Sequence, residues 1–130
     1  MLPLVIRGHV WRVARVSPDS PLLIDRTGMR RVATTDPNAR VIRIANTVPV
    51  PMFDQVYLHE IAHAIMSEAG VTELLAAATD DRKQVMIEEL LAWFLEHHAI
   101  EAIDAASSSL GRRICVDNRC SHGTDQHNPQ

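Results

Sequence analysis

The sequence predicts an α+β fold in which a small, mostly antiparallel sheet packs on a motif-bearing helix and a second long helix. The chain has 130 residues, of which 46% are hydrophobic, enough to fill one core but too short for a second domain. Short β-branched segments and turn clusters fill the first half, and segments of helical periodicity fill the second. We therefore expect one domain over residues 1–116 and a polar, flexible tail over residues 117–130.

The first half of the chain predicts strands that are separated by turns. Residues 9–16 combine β-branched and aromatic side chains with partly alternating arginines, as strands do, and the Ser/Pro/Asp cluster at 17–21 ends this strand. Residues 22–24 are a candidate short strand, and residues 35–38 are a candidate turn. The clearest strand signal is residues 40–45, where isoleucines alternate with an arginine.

The second half predicts helices. Residues 52–69 and 72–78 carry apolar side chains at helical spacing, and a long helix is expected over residues 81–106. Thr79 or Asp80 can cap the start of the long helix, because either side chain can accept a hydrogen bond from a backbone N–H of its first turn.

Charge is distributed unevenly along the chain. Residues 1–50 hold eight arginines against three aspartates, a net charge of +5, whereas residues 51–130 carry a net charge of −8. Trp11 is the single aromatic residue among the arginines of residues 1–50, and this scarcity disfavours nucleic acid as a partner. No apolar stretch is long enough to span a membrane, and the first residues do not resemble a signal peptide, so we expect a cytoplasmic protein.

The pattern His-Glu-x-x-His at residues 59–63 points to metal chemistry. On a helix, His59 and His63 lie one turn apart on the same face, so both imidazoles can reach one tetrahedral Zn²⁺ ion. Glu60 can reach a water on that metal without ligating it, as a general base does. The pattern is short and occurs by chance, but here it lies inside an apolar helical segment. We therefore predict that His59 and His63 hold zinc and that Glu60 is the catalytic base.

A catalytic zinc site needs a third protein ligand, which we expect from the long second helix. The candidates there are Glu88, Glu89, His97 and His98. Glu88 is preferred because it lies on the apolar face, where a carboxylate is costly unless it is paired or bound to metal. Glu89 is the alternative, because the small residue Ala92 follows three positions later and would let two helices approach closely.

The order of strand, proline-rich link, His-Glu-x-x-His helix and Glu-Glu helix resembles the gluzincins, small zincin-type metallopeptidases whose third ligand is a glutamate. The chain is most similar to the short ImmA/IrrE-like zinc peptidases of phages and prophages. The resemblance covers residues 40–100 and is most specific at His59, Glu60 and His63. It implies a minimal zincin-like fold, Zn²⁺ as the cofactor and a protein or peptide as the substrate.

These features together predict a zinc metallopeptidase. A water on the metal would attack the peptide carbonyl, and Glu60 would pass the proton to the leaving amine. An edge strand, for which residues 40–45 are the candidate, could hold an extended substrate by β-addition. The alternative is a catalytically inactive binding module that zinc stabilises on the same scaffold.

Other histidines and both cysteines receive less specific roles. His97 or His98 could hydrogen-bond a metal ligand, whereas His9 is expected to be a packing or surface residue. Cys115, Cys120 and His122 are ligand types at irregular spacing, and two free thiols are the expected state of these cysteines in a reducing compartment. No role is predicted for His127.

Overall fold

A computed structural model of the chain describes residues 4–112. The chain falls into two units that divide between His97 and His98. The first unit contains a four-stranded sheet and three α-helices, which confirms the predicted α+β class. Within the described residues, no helix is both long and apolar enough to cross a membrane. The predicted tail and residues 113–116 lie outside the described residues.

The sheet has the strand order β1-β2-β4-β3. Its strands are β1 (Leu4–Ile6), β2 (His9–Val16), β3 (Ala33–Asp36) and β4 (Val41–Ala45). The outer pairs β1–β2 and β3–β4 are antiparallel, but the central pair β2–β4 is parallel, so the sheet is mixed. The parallel pair arises because β3 is inserted between β2 and β4 in the sequence and returns to the outer side of β4. Neighbouring hydrophobic segments alone do not reveal this strand order.

Two of the predicted elements in the first half differ from the structure. Thr35 and Asp36 belong to β3 rather than to a turn, because the turn begins after Asp36, whose side chain accepts hydrogen bonds from the next backbone N–H groups. The candidate strand at residues 22–24 is instead a 3₁₀ turn, Pro21–Leu23, which Ser20 caps. Proline at the start of the segment favours this turn over an extended strand.

Three helices complete the first unit. They are α1 (Val50–Glu68), α2 (Val71–Ala78) and α3 (Asp81–Phe94). The Asp80 side chain caps α3 by accepting a hydrogen bond from Lys83 N at 2.8 Å. The predicted helix over residues 81–106 is interrupted, because Leu95–Ala99 is π-helical and a further helix, α4 (Ile100–Leu110), follows in the second unit. Apolar periodicity of 3.6 residues does not distinguish a π-helical turn from an α-helical one.

The hydrophobic core fixes α1 between the sheet and α3. One cluster joins the sheet to α1 and includes the buried residues Trp11, Ile42 and Ile44. A second cluster joins α1 to α3 through Ala62, Met66 and Ala92, of which Ala92 is completely buried. Small side chains at this contact bring the two helix backbones close together. As a result, one face of α1 points to β3 and another points to the glutamates of α3.

Candidate metal centre

Helix α1 supplies three of the predicted site residues. His59 and His63 stack edge to face on one side of the helix, with their ring centroids 5.1 Å apart. Both side chains are mostly buried, and both face α3. This arrangement follows from the spacing of four residues, which brings two side chains to the same helix face one turn apart. The pair is therefore oriented for a shared partner on the neighbouring helix.

That partner is Glu89 of α3. Its Oε1 lies 3.1 Å from His59 Nε2, and its Oε2 lies 3.0 Å from His63 Nε2. One ligand atom from each of the three residues lies within 4.8 Å of the other two, so the group could hold a metal ion. Two imidazole nitrogens and one carboxylate oxygen are the donor set of several catalytic zinc sites. The donor chemistry of this group therefore fits a zinc ion.

Glu88, the preferred third ligand in the sequence analysis, lies outside this group of three. Its Oε2 accepts a hydrogen bond of 2.8 Å from the buried side chain of Gln84, and Arg26 Nη2 lies 3.4 Å from the same oxygen. Its Oε1 is 3.9 Å from His63 Nδ1, on the opposite side of that ring from Glu89. The contacts with Gln84 and Arg26 thus offset the cost of burying the Glu88 carboxylate among apolar residues.

A further carboxylate, which the sequence analysis did not single out, contacts His59. Glu96 Oε1 lies 2.7 Å from His59 Nδ1, and the Glu96 side chain is only 9% exposed. Glu96 follows Glu89 by seven residues, or about two helical turns. This spacing was the available signal, because it places the two carboxylates near one face of the same helix.

Glu60 points away from the histidines' partner helix and towards the sheet. Its side chain is buried, and its Oε1 accepts a hydrogen bond of 2.8 Å from the Thr35 hydroxyl of β3. Burial raises the pKa of the Glu60 carboxyl, although the nearby histidines and Thr35 oppose this effect. Thr35 was missed as a site residue because its segment was predicted to be a turn.

The ionisable groups of the two histidines and Glu89 shift one another's pKa. Burial alone would lower the pKa of His63, but the carboxylates of Glu88 and Glu89 raise it to about 9. Hydrogen bonding to Glu89 likewise raises the pKa of His59. The two imidazoles in turn hold the pKa of Glu89 well below its usual range. A metal cation could replace the imidazole protons in neutralising this carboxylate, since metal binding and proton release are linked.

The cluster lies in a cleft of about 920 Å³, within the usual size range of ligand sites. Strand β3 forms one side of the cleft, and Arg26 and Arg31 from the preceding loop line another. Strand β4 lies between β2 and β3, so the expectation of an open edge at residues 40–45 is wrong. In the described sheet, β3 is the edge strand that lies beside the site.

The remaining histidines have other contacts. The Nδ1 of His97 lies 2.9 Å from the Trp93 carbonyl oxygen, and His98 Nδ1 lies 3.4 Å from Glu101 Oε1. His9 is an exposed residue at the start of β2. Cys115, Cys120, His122 and His127 lie outside the described residues.

Comparisons of the chain with protein-family models, with curated proteins and with solved structures found no match.

Proposed function

We propose that the chain is a zinc-dependent metallopeptidase whose metal is held by His59, His63 and Glu89. The observation that supports this proposal most directly is the convergence of both histidine Nε2 atoms on the Glu89 carboxylate, with Glu60 beside the first histidine. Helices that only pack together do not need three ionisable side chains at one point in a cleft.

The roles of the individual residues follow from the donor set. A zinc ion at this position would act as a Lewis acid, polarising a carbonyl oxygen and lowering the pKa of a water in the cleft. Glu60 is the general base of the proposed reaction: Thr35 fixes its Oε1, and its Oε2 takes the proton from the attacking water. Glu60 then gives this proton to the leaving amine as the peptide C–N bond breaks, so that protons and charges balance.

Strand β3 is the proposed binding edge for the substrate. An extended peptide that pairs with β3 would lie along the cleft and place a carbonyl near the proposed metal ligands His59, His63 and Glu89. Arg31 lines the neighbouring side of the cleft, and Asp25 Oδ2 accepts a 2.7 Å hydrogen bond from its Nε. This bond directs the guanidinium while leaving the Nη groups to contact carbonyl or carboxylate oxygens of the peptide.

The test compares wild type with Glu60→Gln after both have been loaded with zinc. The substrates are fluorescein-labelled casein and a proteome-derived peptide mixture whose products are identified by mass spectrometry. We expect equal zinc contents and cleavage by wild type alone. The control is Glu73→Gln, the same substitution at an exposed position of α2, which should cleave as wild type does. Cleavage of equal rate by wild type and Glu60→Gln would contradict the proposed mechanism.

A zinc-stabilised binding module without turnover is the alternative. The hydrogen bond from Thr35 and the burial of Glu60 support it, because both restrict the carboxylate that would have to move a proton. Stoichiometric zinc in wild type together with no cleavage of either substrate would establish this alternative over the peptidase.

A further inference from the structure

The partly buried contact between His59 and Glu96 lies outside the group of three residues that could hold a metal. The two atoms, Nδ1 and Oε1, are 2.7 Å apart, the distance of a charge-assisted hydrogen bond. Glu96 is a carboxylate with 9% side-chain exposure, and burial of such a group is costly unless it has a partner. The contact therefore either stabilises the fold or orients the His59 imidazole.

The position of the contact on the imidazole ring distinguishes these roles. A neutral imidazole carries one N–H, and the nitrogen without it is the one that can bind a metal. Glu96 faces Nδ1, whereas Nε2 faces Glu89. An acceptor at Nδ1 keeps the proton there, and so leaves the Nε2 lone pair directed at the position that a metal would share with Glu89.

The local helix geometry also sets Glu96 apart. It is the second residue of the π-helical segment Leu95–Ala99, which directly follows α3. π-Helical turns are rare and occur frequently at functional sites, because the extra residue per turn changes the direction of the side chains. Glu89 and Glu96, which lie about two turns apart, contact the two nitrogens of the same imidazole, so both nitrogens of the ring have a carboxylate partner.

Among residues 4–112, no carboxylate approaches Nδ1 of the second histidine as closely. His63 Nδ1 is 3.9 Å from Glu88 Oε1, which is beyond hydrogen-bond distance. His59 is therefore the histidine whose orientation the surrounding protein fixes more tightly.

We infer that Glu96 is a positioning residue for the metal centre: it accepts the Nδ1 proton of His59 and so holds Nε2 as a ligand. The inference rests on the proposed zinc site, but it concerns a residue that does not touch the metal. Residues in such positions typically change metal affinity by about 10–100-fold when they are substituted.

Zinc affinity, measured by competition with a chromophoric chelator at fixed pH, tests this role. We expect Glu96→Ala to bind zinc about 10–100-fold more weakly than wild type. Glu96→Gln, which keeps an acceptor oxygen but loses the charge, should lie between them. The exposed substitution Glu73→Gln is the matched control and should leave the affinity unchanged. Affinity of Glu96→Ala within about twofold of wild type would overturn the inference.

Two spectroscopic measurements separate positioning from a merely structural effect. In zinc-loaded wild type, ¹⁵N-edited NMR should show the Nδ1–H tautomer of His59 with a slowly exchanging proton, and Glu96→Ala should lose that protection. The visible bands of the Co²⁺-loaded protein should also change in Glu96→Ala and be partly restored in Glu96→Gln. A His59 Nδ1 proton that stays protected in Glu96→Ala would refute the role of Glu96. Wild type that binds no zinc would instead refute the proposed function itself.

Discussion

Two neighbouring glutamates have different surroundings because adjacent residues on an α-helix point about 100° apart. Glu89 points at the two histidines, whereas Glu88 points at Gln84, one turn earlier on the same helix. Gln84 is almost fully buried and donates a hydrogen bond to the Glu88 carboxylate. This bond offsets the cost of burying that charge. A buried carboxylate on an apolar face is therefore not by itself a sign of metal ligation.

Substituting each glutamate in turn should distinguish the proposed ligand, Glu89, from its neighbour Glu88. We expect Glu89→Gln to weaken zinc binding by more than the roughly 10–100-fold typical of residues that act through a ligand, because it removes a ligand charge. Glu88→Gln should weaken zinc binding by no more than about 100-fold. Elemental analysis of dialysed protein gives the zinc stoichiometry of both variants. Loss of zinc from Glu88→Gln with retention by Glu89→Gln would reverse the ligand assignment.

Asp25 organises the loop that carries Arg31 into the cleft. Burial alone would raise the pKa of Asp25, but hydrogen bonds from Thr27, Arg31 and the backbone of Met29 lower it from 3.8 to about 2. A lowered pKa contributes stability that is fully present above the unfolded value, near 3.8, and is lost as the pH falls through about 2.

We therefore expect Asp25→Asn to lower the free energy of unfolding at pH 7 by about 1–2 kcal/mol, a value reduced by partial solvation of the side chain. The difference from wild type should shrink as the pH falls from about 4 towards 2. Urea denaturation across this pH range measures it, with the exposed Asp19→Asn as the control. A difference that is constant with pH would show that the charge of Asp25 is not the cause.

At the level of elements, the distance between α1 and α3 is set by small residues. Ala92 is fully buried against Ala62 and Met66, and it lies three residues after Glu89. A larger side chain at this position would push apart the helices that carry His63 and Glu89. The close packing of the helices and the geometry of the proposed metal site thus depend on the same contact.

Replacing Ala92 by leucine should consequently affect both stability and metal binding. Overpacking of this kind costs about 1–3 kcal/mol of unfolding free energy, and we expect Ala92→Leu to fall in that range. Its zinc affinity should fall as well, because the proposed ligands come from both helices. Ala77→Leu, at an exposed position of α2, is the matched control for denaturation and zinc titration. Wild-type stability in Ala92→Leu would mean that the contact is loosely packed.

Helices α1 and α2, the start of α3 and the two central strands could be predicted from the sequence, whereas the outer strands and the details that complete the site could not. Apolar spacing and caps predicted α1 and the start of α3 to within a few residues. Local patterns did not identify β3, because it is a short strand whose last two residues are also typical of turns. Nor did they show which glutamate faces α1, since Glu88 and Glu89 differ by one step on the helix and tertiary contacts decide their surroundings.

Within the first unit, arginines of the basic half of the sequence form ion pairs with glutamates of the acidic half. Arg40 of the basic half pairs with Glu68 of the acidic half at 2.7 Å, and Arg26 pairs with Glu88 at 3.4 Å. Each pair joins a residue of 1–50 to a residue of 51–130. Some of the opposite charges of the two halves are therefore paired with each other in the folded chain. Such partly exposed pairs contribute modestly to stability, and the pair of Arg26 with Glu88 joins the loop beside the cleft to α3.

The proposed zinc ion would connect α1 to α3 in the same way, and this connection predicts that metal raises the stability of the fold. A ligand that binds the folded state stabilises it by about 2.7 kcal/mol when present at 100 times its Kd. For a chain of this length, that corresponds to a rise in Tm on the order of 10 °C. Thermal unfolding with excess chelator and with zinc measures the effect. The double variant His59→Ala plus His63→Ala should unfold at a Tm that zinc does not change, because two of the three ligands are gone. Equal zinc-induced shifts in wild type and in this variant would place the metal at another position and would contradict the site proposed between α1 and α3.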